Sequence, residues 1–354
     1  MAYPVAVIQC TVRPGEIDAN RLEITRLAGE AARHGAKLIV LPEACVSDIY
    51  RGAQALAETI PGPSTEMLSR VAGDATLALP LLEKAADGKV YSSCALISAS
   101  GIRGVARKTH LFRDASGHDS FRDEEVIARS DSLSIVDLGD VRAGVLLGFD
   151  AEFPESFRAL TLRGADLIIV AQNSLEPDHA FLSAMALRNR IPIAVANRLG
   201  FRRVYPVIPE FSAGALSLVQ DRDGTFLMRC RGGSGIFDAD GTRVAQPKEN
   251  IEAPEGTQPF GMRPVAHFQE EEVLIASLRI EEQRIQRATS PFLSERHEEL
   301  YGQANAKKPE PPADQNRDRQ GAAVPEGRPE QPEPAPPKPK AKRKPRARKK
   351  KEEE

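Results

Sequence analysis

The chain has no tryptophan, 6 histidines and 4 cysteines in 354 residues. Cys10, Cys45, Cys94 and Cys230 stand far apart, and none belongs to a CxxC pair. No two histidines have metal-ligand spacing either, which argues against a zinc module, and neither a metal nor a cofactor is expected. Three of the four cysteines lie in or beside apolar runs, the usage of reduced, buried thiols in a cytoplasmic protein. No run approaches the roughly 20 apolar residues that a membrane helix needs. The opening "MAYPVAVIQC" lacks a basic stretch followed by a long apolar core, so no signal peptide is expected.

What is present is a 41% hydrophobic content, enough for a sizeable core, in a length that suits one large domain or two ordinary ones. The net charge of −2 hides an asymmetry. From Asn305 onward there are 15 basic and 9 acidic residues, so a tail of +6 follows a body of −8. Residues 302–354 are rich in Pro, Ala, Lys and Glu with almost nothing to bury, a composition that predicts disorder. Ten of the fourteen residues from Lys338 to Lys351 are basic. No aromatic side chain stands among them to stack on bases, so binding of nucleic acid there would be sequence-independent and salt-sensitive. A dispensable, solubilising tail is the equal alternative.

The remainder reads as alternating strands and helices. "VAVIQC" and "KLIVLPE" are continuously apolar strands, and Asp18–His34 between them has helical periodicity ending at Gly35. A helix is expected after Pro63-Ser64, then a meander of strands at Ala78–Leu82, Tyr91–Ser98 and Val105–Lys108. "SLSIVDL" and "RAGVLLG" are strands, Pro154–Arg163 a helix with proline in its first turn, and "ADLIIV" a strand. A helix at His179–Asn189, the strand "PIAVAN", a hairpin around Asp240-Gly241 and the late strand "EEVLIASLRI" complete the body. Strands this apolar are buried on both faces, so the fold class is α/β with a mixed sheet, and two such halves would pack sheet on sheet with helices outside.

Three stretches place a charged or turn residue at the end of an apolar strand: "LIVLPEAC" with Glu43, "GVARKTHLF" with Lys108, and "GVLLGFDAEFPE" with Gly148. A carboxylate at one strand end can take a proton, and an ammonium at another can steady an oxyanion, as can the N–H groups of the turn at Gly148-Phe149. Such a site lacks a nucleophile. Taken singly, a Glu or Lys past a strand is more often a solvated loop residue. Asp150, Glu152 and Glu155 also read as acids favoured at a helix start. His110 and His118 read as surface or supporting residues.

In that order and spacing, the three stretches resemble the signature blocks of the nitrilase superfamily, the carbon–nitrogen hydrolases. "LRNRIPIAVANRLG", "GGSGIFDADGTRVA" and "SPFLSERHEELY" extend the resemblance over residues 4 to 301. It implies one α-β-β-α sandwich domain over residues 1–301, a homodimer or larger assembly, and hydrolysis of amides or nitriles through a thioester. It assigns Glu43 as general base, Lys108 as oxyanion stabiliser, and Gly148 to the position of the nucleophilic cysteine. Phe149, Asp150 and a glutamate in Glu124-Glu125, taken as Glu125, are the expected substrate contacts. "MALRN" and "SLR" depart from the family's pattern, and Phe201–Cys230 reads as an insertion before the hairpin. The glycine predicts a pseudo-enzyme that binds an amide- or carboxylate-bearing small molecule. The alternatives are an amidohydrolase of altered chemistry and a scaffold acting through its tail. Cys45, two residues beyond Glu43, is a candidate substitute nucleophile, though its ordinary reading is core packing.

Overall fold

The computed structural model describes residues 2–113, 122–204, 218–220, 226–248 and 269–303. Of the tail expected to be disordered, residues 302–354, the first two fall in a short helix; residues 304–354 and much of the apparent insertion lie outside the described residues. One compact unit runs to Arg296 and a second begins at His297. In the second, the described residues form a short helix, Glu298–Gln303.

The chain opens with β1 (Tyr3–Gln9), α1 (Ile17–Arg33), β2 (Leu38–Val40), α2 (Pro63–Ser69), β3 (Thr76–Lys84), β4 (Val90–Ser98) and β5 (Gly101–Arg107). It continues through β6 (Ser134–Asp137), β7 (Arg142–Leu147), α3 (Pro154–Leu162), β8 (Leu167–Ala171), α4 (His179–Asn189) and β9 (Ile193–Ala196). β10 (Leu199–Val204), β11 (Leu218–Gln220) and β12 (Phe226–Arg231) follow, then β13 (Gly235–Phe237), β14 (Arg243–Ala245), β15 (Glu272–Leu278) and α5 (Ile280–Ala288).

Two six-stranded mixed sheets result, ordered β15-β1-β2-β3-β4-β5 and β14-β13-β9-β8-β7-β6. In each, parallel pairs form the centre and antiparallel pairs the flanks: β1-β2-β3 in the first and β7-β8-β9 in the second are parallel. Alternation along each strand divides its side chains between two cores. Val5 and Val7 of β1 and Leu167, Ile169 and Ala171 of β8 enter the core between the sheets. Ala6 and Ile8 pack outward with Ile24, Leu27 and Ala28 of α1. Ile168 and Val170 pack outward with Phe157 and Leu160 of α3 and Leu182 and Ala186 of α4. Helices therefore cover both outer faces, giving an α-β-β-α sandwich.

β3 and β5 outgrow the apolar cores expected for them, while β2, β6, β9 and β15 are shorter than the stretches expected to be strands. Ala78–Leu82 becomes Thr76–Lys84 because its antiparallel pairing with β4 extends as far as Lys84 and Val90. The apparent insertion contributes a separate three-stranded sheet, β10-β12-β11. Propensity alone left that stretch unassigned; cross-strand pairing from Leu199↔Arg231 to Val204↔Phe226 defines it.

Candidate functional site

The parallel strands β2, β7 and β8 end at one edge of the sandwich, the edge where α/β sheets commonly build sites. Glu43 lies three residues beyond β2, and its backbone N–H donates to the Gln172 carbonyl just beyond β8 (3.1 Å). This bond joins one sheet to the other and sets the Glu43 side chain between them. Lys108 follows β5 directly, and its N–H donates to the Ser92 carbonyl of β4 (2.9 Å). Gly148 follows β7 and begins a 3-10 turn over Gly148–Glu152.

The structure brings these three residues together. Glu43 and Lys108 are buried, and Lys108 Nζ lies 3.1 Å from Glu43 Oε1. Ser92 Oγ donates to the same Oε1 (2.9 Å). Gly148 has φ +49°, the left-handed region in which L side chains are strained. A Cβ on residue 148 would overlap Glu43 Oε2, and would stand 2.9 Å from Glu43 Cδ and 3.0 Å from Lys108 Nζ. The carboxylate thus fills the space that a side chain at position 148 would need. Among the described residues, Oε2 accepts no hydrogen bond.

A third charged group completes the cluster, and it is not the one expected. Asp123, in a 3-10 turn over Asp123–Glu125, is buried and places Oδ2 2.7 Å from Lys108 Nζ. The Phe112 backbone N–H donates to the same oxygen (2.9 Å). Glu125 turns outward instead and pairs with Arg51 (2.7 Å), outside the cavity lining. Nothing in the run Asp123-Glu124-Glu125 marks which acid is buried; the shorter Asp side chain faces Lys108 because the turn's backbone is pinned to Phe112.

One ammonium cannot fully compensate two buried carboxylates. Burial pushes the Glu43 carboxyl above the usual carboxylate range, against the opposing pull of Lys108, and the neighbouring Asp123 raises it further. Burial alone would lower the Lys108 ammonium, but Glu43 and Asp123 outweigh it and hold the group well above its ordinary value.

A cavity of about 450 Å³ opens over this cluster. Glu43, Lys108, Asp123 and Gly148 line its floor region together with Gln172 and Asn173, while Ile49, Phe112, Phe149 and Leu175 give apolar wall. Phe149, expected at the site, is there, edge-on to Phe112 at 5.6 Å between ring centroids. Glu152 and Arg202 also line the cavity, Arg202 donating to the Asn173 carbonyl (3.1 Å). Arg202 comes from β10, at the start of the apparent insertion, and sequence reasoning did not connect it with the site.

Asp150, expected to contact substrate, is absent from the lining and has a different task. Its Oδ1 accepts from the N–H groups of Thr109 (3.0 Å) and His110 (2.6 Å) and from Thr109 Oγ1 (2.7 Å), while Oδ2 accepts from the Leu147 N–H (3.2 Å). One buried carboxylate therefore clamps the strand end that carries Lys108 to the turn that carries Gly148. Cys45 does not approach the cavity: it is buried in the outer core with Leu41 and Val46, its thiol donating to the Pro80 carbonyl (3.4 Å). Burial also pushes that thiol well above its ordinary range, away from the thiolate a nucleophile needs.

Comparison with known proteins gives a consistent picture. The chain is 35% identical over 206 residues to a Pseudomonas protegens protein named "Hydrolase in pqqF 5'region", covering 55% of this chain and 70% of the relative. It is 32% identical over 206 residues to an omega-amidase of Xenopus laevis, covering 55% and 74%. Among solved structures it resembles a carbon–nitrogen hydrolase of Helicobacter pylori, with a TM-score of 0.65 at 19% identity over 87% of this chain and 99% of the other. It also resembles an amidase of Nesterenkonia sp. AN1, with a TM-score of 0.61 at 18% identity over 85% and 96%. A mutant form of that amidase shows covalent addition of the acetamide moiety of fluoroacetamide at its active-site cysteine. A model of the carbon–nitrogen hydrolase family matches residues 4–254.

Proposed function

Because this chain belongs to the carbon–nitrogen hydrolase family, we propose that it is a member without the covalent mechanism, a pseudo-enzyme that binds an amide- or carboxylate-bearing small molecule. One observation carries the reading: the Glu43 carboxylate stands where a side chain on residue 148 would have to be. An acyl-enzyme needs a sulfur or oxygen nucleophile at the turn, and glycine offers neither. The rest of the frame supports ligand binding. The cavity has an apolar wall, holds a buried ammonium, and has Arg202 to meet an acidic group on the ligand. Its volume lies within the range of small-molecule pockets.

The experiment is intact-protein mass spectrometry after incubation with fluoroacetamide and a panel of amides and nitriles, with product release measured in parallel. The expected result is unmodified protein and no turnover. A covalent acyl adduct on any residue of the native chain would overturn the reading. A second reading rests on the free Oε2 of Glu43: as a base beside Lys108, it would direct water onto a labile amide without a covalent step. Turnover without an adduct, abolished in Glu43→Gln, would establish that reading over the first.

A further inference from the structure

The sign of the charge at the cavity floor selects among nitrogenous ligands. Glu43 and Asp123 supply two carboxylates and Lys108 one ammonium, and all three side chains are at least nine-tenths buried. The ammonium is held between the two acids, at 3.1 Å and 2.7 Å, which together carry one more charge than it does. Glu43 Oε1 is occupied by Lys108 and Ser92. Its Oε2 takes no hydrogen bond among the described residues, although Glu43 lines the cavity. The floor therefore presents one unmet acceptor bearing the excess negative charge of the cluster. The other charged groups that line the cavity, Glu152 and Arg202, are opposite in sign and leave that excess unchanged.

We infer that the floor of this cavity receives a small organic cation, an amidinium or primary ammonium, whose N–H donates to Glu43 Oε2, in preference to a neutral amide or a carboxylate. The inference rests on the reading of the cavity as a small-molecule site and concerns only the group that meets the floor; an amide or carboxylate elsewhere on the same ligand is left to Arg202. A carboxylate would bring a second acceptor to an oxygen that already lacks a donor, and like charge to a cluster already in excess. A neutral amide would satisfy the hydrogen bond and leave the charge. An amidinium has the shape of the amide, satisfies the bond and cancels the charge, forming a charge-assisted contact. Phe112 and Phe149 supply aromatic wall that tolerates a cation, and Ile49 and Leu175 receive hydrocarbon.

The test uses three near-isosteric probes on the full chain by calorimetry at matched ionic strength: acetamidinium chloride, acetamide and sodium acetate. The expected order is acetamidinium tightest, at least tenfold over acetamide, with acetate weakest. In Glu43→Gln, checked for native circular dichroism, the advantage of acetamidinium over acetamide falls to parity. If that variant does not fold, Asp123→Asn serves, since it removes one charge from the cluster while leaving Oε2, and the advantage shrinks without vanishing. Acetamide or acetate binding as tightly as acetamidinium would overturn the cation assignment and leave the proposed function standing. A preference for acetamidinium that survives Glu43→Gln would also overturn it. Failure of all three probes to bind would overturn both.

Discussion

Replacing Gly148 by alanine adds one methyl group, and the Glu43 carboxylate must move to admit it. Two penalties arise. The residue sits at φ +49°, where a side chain costs about 1–2 kcal/mol. The new Cβ also overlaps Glu43 Oε2, so the carboxylate must swing away, and its Oε1 then surrenders Ser92 and Lys108. Loss of a hydrogen bond to a charged group is worth about 1.5–3 kcal/mol. Together the penalties predict a loss of about 2.5–5 kcal/mol, or a melting temperature lower by roughly 4–8 °C for a domain of this size. Urea unfolding followed by far-UV circular dichroism suits the measurement, since the chain has no tryptophan to report. The two penalties separate in a double-mutant cycle. In a Glu43→Ala background the overlap is gone, and Gly148→Ala should cost only the backbone strain of about 1–2 kcal/mol. A coupling energy below about 0.5 kcal/mol would refute the reasoning, because independent sites add to within that figure. The same geometry predicts that Gly148→Cys alone does not create an amidase, as the thiol and the carboxylate compete for one space.

Other outcomes follow from the same contacts. Lys108→Met leaves Glu43 and Asp123 facing each other uncompensated, and should cost about 3–5 kcal/mol in urea unfolding, as broken buried ion pairs do. Asp150→Ala strands the N–H groups of Thr109, His110 and Leu147 and should cost about 3 kcal/mol or more, with faster amide exchange at Thr109 and His110 than elsewhere in the core. Two carboxylates should shape the pH dependence with opposite sign. Burial raises the Asp166 carboxyl, but hydrogen bonds from Arg284, the Arg142 backbone and Arg287 outweigh it and hold it below the usual range. Its contribution is present above the unfolded carboxylate value and lost as pH falls through the folded one, so Asp166→Asn flattens the acid limb of a stability–pH curve. Glu43 is raised, so the folded chain keeps its proton where the unfolded chain releases it. Stability from Glu43 therefore declines as pH climbs from the unfolded value toward the folded one, and Glu43→Gln removes that decline. For the basic tail, DNA binding that weakens steeply with salt and disappears on truncation at Asn305 would support a nucleic-acid role; binding unchanged by truncation would refute it.

Much of the architecture was legible in the chain because it is written at short range. Strands such as "VAVIQC" and "ADLIIV" are apolar at every position, which requires cover on both faces, and the structure divides their side chains between an inner and an outer core. The helix His179–Asn189 lies where its sequence pattern places it, with Asp178 capping its first turn through the Phe181 N–H. Glu43, Lys108 and Gly148 could be picked out because each stands just past an apolar strand, and strand ends meet at a sheet edge. Distances of two to four residues are enough for such signals.

What the chain alone could not decide is which of several similar groups is buried against which partner. Asp123 and Glu125 sit in one acidic turn, yet one faces Lys108 and the other pairs with Arg51. Asp150 lies beside the site in sequence, yet it braces backbone, while Arg202 arrives from a stretch that local pattern left blank. Local sequence determined the elements, because side-chain periodicity fixes how each one turns its apolar face. Only the packed sheets decided the site, since desolvation and charge pairing depend on groups tens of residues apart. The Glu43 carboxylate filling the space beside Gly148 is the clearest case.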